Sequence, residues 1–102
     1  MAFDEIDGMQ VDLALLPEEL QPLAPLIRKY AASDDAERAE RLAMASTDEL
    51  RALSDAAEPH WDAINAYLDE HVERPGPRQD VALVLDGFAQ AAMEASLELQ
   101  GR

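Results

Sequence analysis

The spacing of apolar residues predicts an all-α protein, a compact antiparallel bundle of about four helices whose two longest members span roughly 47–72 and 77–99. Three observations carry this. Leu50, Leu53, Ala57, His60, Ile64, Tyr67 and His71 recur at intervals of three and four, the period of one helix face. Val81, Val84, Leu85, Phe88, Ala92, Ala95 and Leu99 do the same further along. Finally, the only alternating stretch, Val11, Leu13 and Leu15, is brief and closed by Pro17, so no segment reads as a strand. At 102 residues the chain matches the usual size of one domain, read as 1–102 with residues 1–15 as an arm. The apolar fraction is 48%, but 19 residues are Ala, so the core is expected to be helical and closely packed rather than large.

Taken in order, Phe3, Ile6 and Met9 suggest a short apolar arm that ends near Asp7-Gly8 and folds over the bundle. Pro17-Glu18-Glu19 resembles a first helical turn, with proline leading and two acids at the positive end of the helix dipole, and Pro22 is expected to interrupt it. A second start places Leu23, Leu26, Ile27 and Tyr30 on one face, with Pro25 tolerated in the first turn. Ser33 or Asp34 caps the next element, in which Glu37 and Arg41 pair at i,i+4 and Ala36, Ala39, Leu42 and Ala43 form a small-residue face.

Ser46 and Glu49 have the spacing of a capping box and open the strongest helical segment. Pro59 removes the hydrogen bond to the Asp55 carbonyl and should push Glu58 off helical angles. Because the apolar phase continues across it, a kink is expected rather than a division. Glu73-Arg74-Pro75-Gly76-Pro77 ends this helix. In the last helix Gly87 costs about 1 kcal/mol relative to Ala and allows a neighbour to approach. Leu83, Met93 and Leu97 lie off its main stripe, within about 80° of one another, so this helix is either central to the bundle or part of an oligomer interface.

Charge narrows the function. There are 22 acids against 8 bases, a formal net charge of -14, and no base precedes Arg28. Without a basic patch to displace phosphate counterions, direct nucleic-acid binding is not expected. No apolar run is long enough to span a bilayer, and Met1-Ala2-Phe3-Asp4-Glu5 lacks the basic, apolar pattern of a secretory signal, so a cytoplasmic protein is expected. The absence of cysteine excludes disulfides and thiolate chemistry.

Asp48, Asp55, Asp62 and Asp69 recur every seven residues, opposite the buried stripe, and Glu58 and Glu73 flank them. Successive aspartates are about 10.5 Å apart along the axis of a continuous helix. Such a ridge suits a partner protein with a basic surface, although a solvated outer face would show the same pattern.

His60 and His71 have acids nearby in sequence, but the positions three and four residues away hold no metal ligand, and no HExxH or ExxH motif is present. No glycine-rich phosphate loop or nucleophile elbow occurs. No cofactor is expected. Trp61, Tyr67, Tyr30, Phe3 and Phe88 read as core, with Trp61→Ala costing about 3 to 5 kcal/mol.

The resulting expectation is a small acidic, non-catalytic protein–protein interaction module. Its sharper form is a stoichiometric inhibitor of a basic or nucleic-acid-handling protein, of the immunity, antitoxin or phage-antagonist type. The alternatives are a metal-dependent helical-bundle enzyme using His60 and His71 with nearby carboxylates, and a structural subunit of an oligomer, such as a homodimer joined through Leu83, Met93 and Leu97.

Overall fold

The Asp7-Gly8 pair turns the start of the chain back on itself. In the computed structural model, which describes residues 3–102, both residues take positive φ, 55° and 78°. That backbone matches the right-handed twist of a two-residue hairpin, and aspartate and glycine tolerate it. β1 (Asp4–Ile6) and β2 (Met9–Val11) therefore pair antiparallel, with Asp4 opposite Val11 and Ile6 opposite Met9. The expectation of no strand is corrected here: each strand is three residues long, too short for alternation to register, and the turn dipeptide carries the signal. Ile6 and Val11 are buried, whereas Phe3, expected in the core, is 53% exposed. Two polar contacts fasten the hairpin. Arg28 Nε donates to Asp4 at 3.0 Å, and the Asp7 carboxylate accepts from the Ser33 amide at 3.0 Å and from the Ser33 hydroxyl.

Two 3-10 segments follow, Leu13–Leu15 and Glu18–Leu23. The Gln21 amide ties them by donating to the carbonyls of Leu13 and Leu16 at 3.0 and 2.9 Å. Pro22 sits inside the second segment instead of interrupting it, and α1 (Ala24–Tyr30) continues directly. Asp34, not Ser33, caps α2 (Asp35–Met44), its carboxylate accepting from the Glu37 amide at 3.3 Å. The expected small-residue face of α2 is reversed. Ala36, Ala39 and Ala43 are exposed, and the inward positions are Arg38 and Leu42.

Arg38 is 4% exposed, yet its donors are used. Glu94 accepts from Nε and Nη2 at 2.8 and 2.9 Å, the Ala32 carbonyl accepts at 2.9 Å, and Asp35 accepts from Nη2. A buried guanidinium is tolerable when paired and hydrogen-bonded in this way.

α3 (Thr47–Ala57) opens with the expected capping box, Ser46 and Glu49 each accepting from the other's backbone amide. At Pro59 the α-helical ladder divides. Glu58–His60 forms a 3-10 turn and α4 (Trp61–His71) begins after it. Glu58 keeps helical angles (φ -53°, ψ -49°), and His60 takes up the deviation (φ -115°, ψ 8°). Tightening to i→i+3 bonding accommodates the proline. Ala57 and Ile64 both remain buried, seven residues apart, so the inward face keeps its phase across the turn.

α5 (Pro77–Gly101) is the centre of the bundle and packs against α1, α2, α3, α4 and the hairpin. Phe88, Leu85 and Ala91 are fully enclosed. Gly87 allows the close approach expected of it, although to the connection between α1 and α2 rather than to a helix. A Cβ there would stand 3.1 Å from the Ala32 backbone nitrogen and oxygen. The Cα radius of gyration is 13.0 Å, the value expected for a folded chain of about 100 residues.

Candidate functional site: an apolar groove beside an acidic face

The outer face of α3 and α4 is acidic because the seven-residue aspartate repeat is locked opposite the buried stripe. Asp48 and Asp55 on α3, Glu58 in the 3-10 turn, Asp62 and Asp69 on α4 and Glu73 just beyond it are all exposed. At about 100° per residue Asp48 and Asp55 fall within about 20° of each other on α3, as do Asp62 and Asp69 on α4. Among the described residues, Arg51 beside Asp48 at 3.6 Å forms the only ion pair with any of the six. The other five are exposed, with no basic partner among the described residues.

Next to this face lies a groove of about 590 Å³. Ser54, Glu58 and Trp61 line one wall, and Ala92, Met93, Ser96 and Leu97 on α5 line the other. Trp61 sits one position off the buried stripe, at its edge, and small Ala92 and Ser96 are among the α5 residues that face the groove. Trp61 is consequently partly buried, packed against the edge of the core and not enclosed in it, which qualifies the sequence expectation. Met93 and Leu97 are 46% and 65% exposed, large apolar surface that a folded chain ordinarily covers.

Of the three residues assigned to an oligomer interface, the groove brings Met93 and Leu97 together and does not include Leu83. Leu83 is 41% exposed, more than two helical turns away, with Asp86 and Gln90 on the intervening surface. The acids and the groove meet at Glu58, which belongs to both. Across α5, Leu97 also borders a second depression shared with Glu94 and Glu98, so the apolar floor has carboxylates on two sides.

The histidines stand apart. His60 Nδ1 is buried and lies 3.5 Å from Glu19 without hydrogen-bond geometry, while His71 packs its ring against Tyr67 at 4.5 Å and reaches Glu70 at 3.6 Å. Eleven residues separate them, about 16 Å of helical rise, too far to share one ion. Among the described residues no three His, Asp or Glu side chains converge as metal ligands would. None of those residues forms a helix long and apolar enough to cross a membrane.

Glu49 and Tyr67 show perturbed acidity. The Lys29 ammonium, 2.9 Å away, and the Ser46 amide lower the Glu49 carboxyl to about 2. Burial raises the Tyr67 phenol, whose hydroxyl has no hydrogen-bond partner among the described residues. Neither borders the groove.

The groove escaped sequence reasoning because its walls come from segments more than thirty residues apart. The traces available in the sequence were a tryptophan at the margin of one stripe and Met93 and Leu97 on the second face of another. No protein-family model, curated protein or solved structure matches this chain.

Proposed function

We propose that this protein is a small, non-catalytic interaction module that acts in the cytoplasm by binding a partner with a basic surface. The supporting observation is the acidic face. Six carboxylates share one side of α3 and α4, and five of them lack an ion-pair partner among the described residues. Charges left in solvent on one side of a molecule with net charge -14 accelerate encounter with a basic surface and suppress encounters with acidic ones. A stoichiometric inhibitor of a nucleic-acid-handling protein, of the immunity, antitoxin or phage-antagonist type, is the form of this reading that best uses a non-catalytic acidic surface.

The test is affinity capture from the native host with the wild-type chain and with Asp55→Asn, Asp62→Asn and Asp69→Asn combined. The wild type should retain a basic protein whose association slows steeply with added salt. The triple variant should fold normally and associate about tenfold or more slowly at low salt, as expected when steering charges are removed. Equal association rates for both proteins across the salt series would defeat the proposal.

A second reading is favoured by exposed Leu83, Met93 and Leu97, which suit a subunit of an oligomer. Light scattering separates the two, since the oligomer reading requires a mass above that of one chain and its loss in Leu83→Asp plus Leu97→Asp.

A further inference from the structure

We propose that the groove between Trp61 and the Met93–Leu97 pair seats the apolar face of a cationic amphipathic helix, whose basic residues lie against the flanking carboxylates. The proposal rests on the reading of the protein as a module for basic partners, and it identifies the contact that retains the partner once charge has brought it in.

Shape comes first. The groove is open, with Met93 and Leu97 on its α5 wall largely exposed, so it would leave much of a small molecule in water, whereas ligand pockets enclose most of theirs. An elongated apolar surface fits better. Met93 and Leu97 are one helical turn apart, about 6 Å along α5, which matches the i,i+4 spacing of anchors on a helix laid alongside. Trp61 forms the opposite wall, a large amphipathic side chain of the kind that dominates binding surfaces.

Charge then selects the occupant. Glu58 edges the groove on the α3–α4 side, with Asp55 and Asp62 on the same helical face, and Glu94 and Glu98 lie beyond Leu97. Glu94 is held by Arg38 and Glu98 lies 3.5 Å from Arg102, which leaves the α3–α4 side as the more strongly anionic border. A second copy of the chain would bring two surfaces of the same sign together, each on a molecule of net charge -14. A helix with leucine-like residues on one face and lysine or arginine beside them meets both the floor and the rims.

Trp61 is the only tryptophan, so its emission reports on the groove. The full chain is titrated with a synthetic tryptophan-free peptide of about 18 leucines and lysines, about 27 Å long as a helix, with leucine at i, i+3, i+4 and i+7. A control peptide has the same composition with its leucines spread around the helix. The amphipathic peptide should shift Trp61 emission to the blue and saturate, and the control should bind about tenfold or more weakly. Met93→Glu plus Leu97→Glu, both at exposed positions, should weaken the amphipathic peptide at least about tenfold, as losing buried leucine-sized contacts implies.

The sign of that last change is decisive. The variant adds negative charge, so attraction by charge alone would hold or tighten the peptide. If the variant binds as well as the wild type, or the two peptides are indistinguishable, the groove proposal is overturned while the basic-partner reading stands. If neither peptide binds at low salt, both fall. Sedimentation of the free chain provides the remaining arm. A dimer that dissociates in the Met93→Glu, Leu97→Glu variant and competes with the peptide would assign the groove to a second copy and overturn the proposal.

Discussion

The rod from Thr47 to His71 and helix α5 each run for 25 residues, yet they are built to different ends. α5 touches every other helix and buries ten side chains or backbone positions around most of its circumference. The rod buries five and packs chiefly against α5. Tolerance follows from that contrast. α5 remains continuous through Gly87, packed around most of its circumference there, and the glycine is required where the Ala32 backbone crosses it. The rod gives up its α-helical ladder at Pro59, where only one side is packed and a 3-10 turn exposes nothing that must be covered. A helix enclosed by its neighbours supports the fold, and one packed on a single side has a face to spare for a partner. The groove lies at the junction of the two, with one wall from each.

The largest expected effect tests this division directly. Phe88 is completely buried at the middle of α5, and Phe88→Ala should lower stability by about 3 to 5 kcal/mol. Trp61→Ala, on the rod, should cost less, about 2 kcal/mol, because Trp61 is only partly buried and its removal widens an open groove without leaving an enclosed cavity. Urea denaturation of both variants provides the measurement. Equal losses would place Trp61 in the core and dissolve the distinction between the enclosed helix and the presented one.

An intermediate effect is expected where α5 holds α2. Glu94 receives two hydrogen bonds from a guanidinium that is almost wholly buried. Glu94→Ala leaves that cation with Asp35 and the carbonyls of Ala32 and Ser33 as its remaining partners. Losing one partner of a fully buried pair costs about 3 to 5 kcal/mol, and the partial exposure of Glu94 together with these remaining partners reduces the expectation to about 2 kcal/mol. Replacing Arg38 by Met as well should recover part of the loss, since the stranded charge goes with it. A double-mutant cycle showing no coupling would mean that α5 holds α2 by apolar packing alone.

How much of this was readable in the sequence depended on the range of the forces involved. The capping box at Ser46 and Glu49, the stripes of the two long segments and the end at Pro77 are set by residues within one or two turns, and local spacing reveals them. The hairpin is equally local, but six strand residues are too few for alternation to show, and its signal was confined to Asp7-Gly8. Arg38 was invisible for another reason. A charged residue at an inward position reads as a solvated one until Glu94, 56 residues later, arrives to neutralise it. The exposed positions of Asp48, Asp55, Asp62 and Asp69 followed from period alone, while the groove beside them did not, because it is formed where two stripes fail to cover each other completely.

The smallest expected effect lies at the start of the rod, where the contrast with α5 should be weakest. Glu49 both closes the capping box and accepts from Lys29 across to α1, and its carboxyl is lowered from 4.5 to about 2, chiefly by Lys29 and then by the Ser46 amide. A carboxyl with a depressed folded value adds stability above its unfolded value, where it is ionised in both states. That contribution is lost as pH falls, because the unfolded chain takes up the proton first. Glu49→Gln keeps a capping-box side chain but removes the charge facing Lys29. The melting temperature of the wild type should therefore exceed that of Glu49→Gln by a small margin at neutral pH. The margin should narrow as pH falls through 4.5 and close near 2. Added salt should shrink it too, since the Lys29–Glu49 pair is exposed. A margin constant across this range would mean that the carboxylate acts only as a cap and that its charge does nothing to fasten the rod to α1.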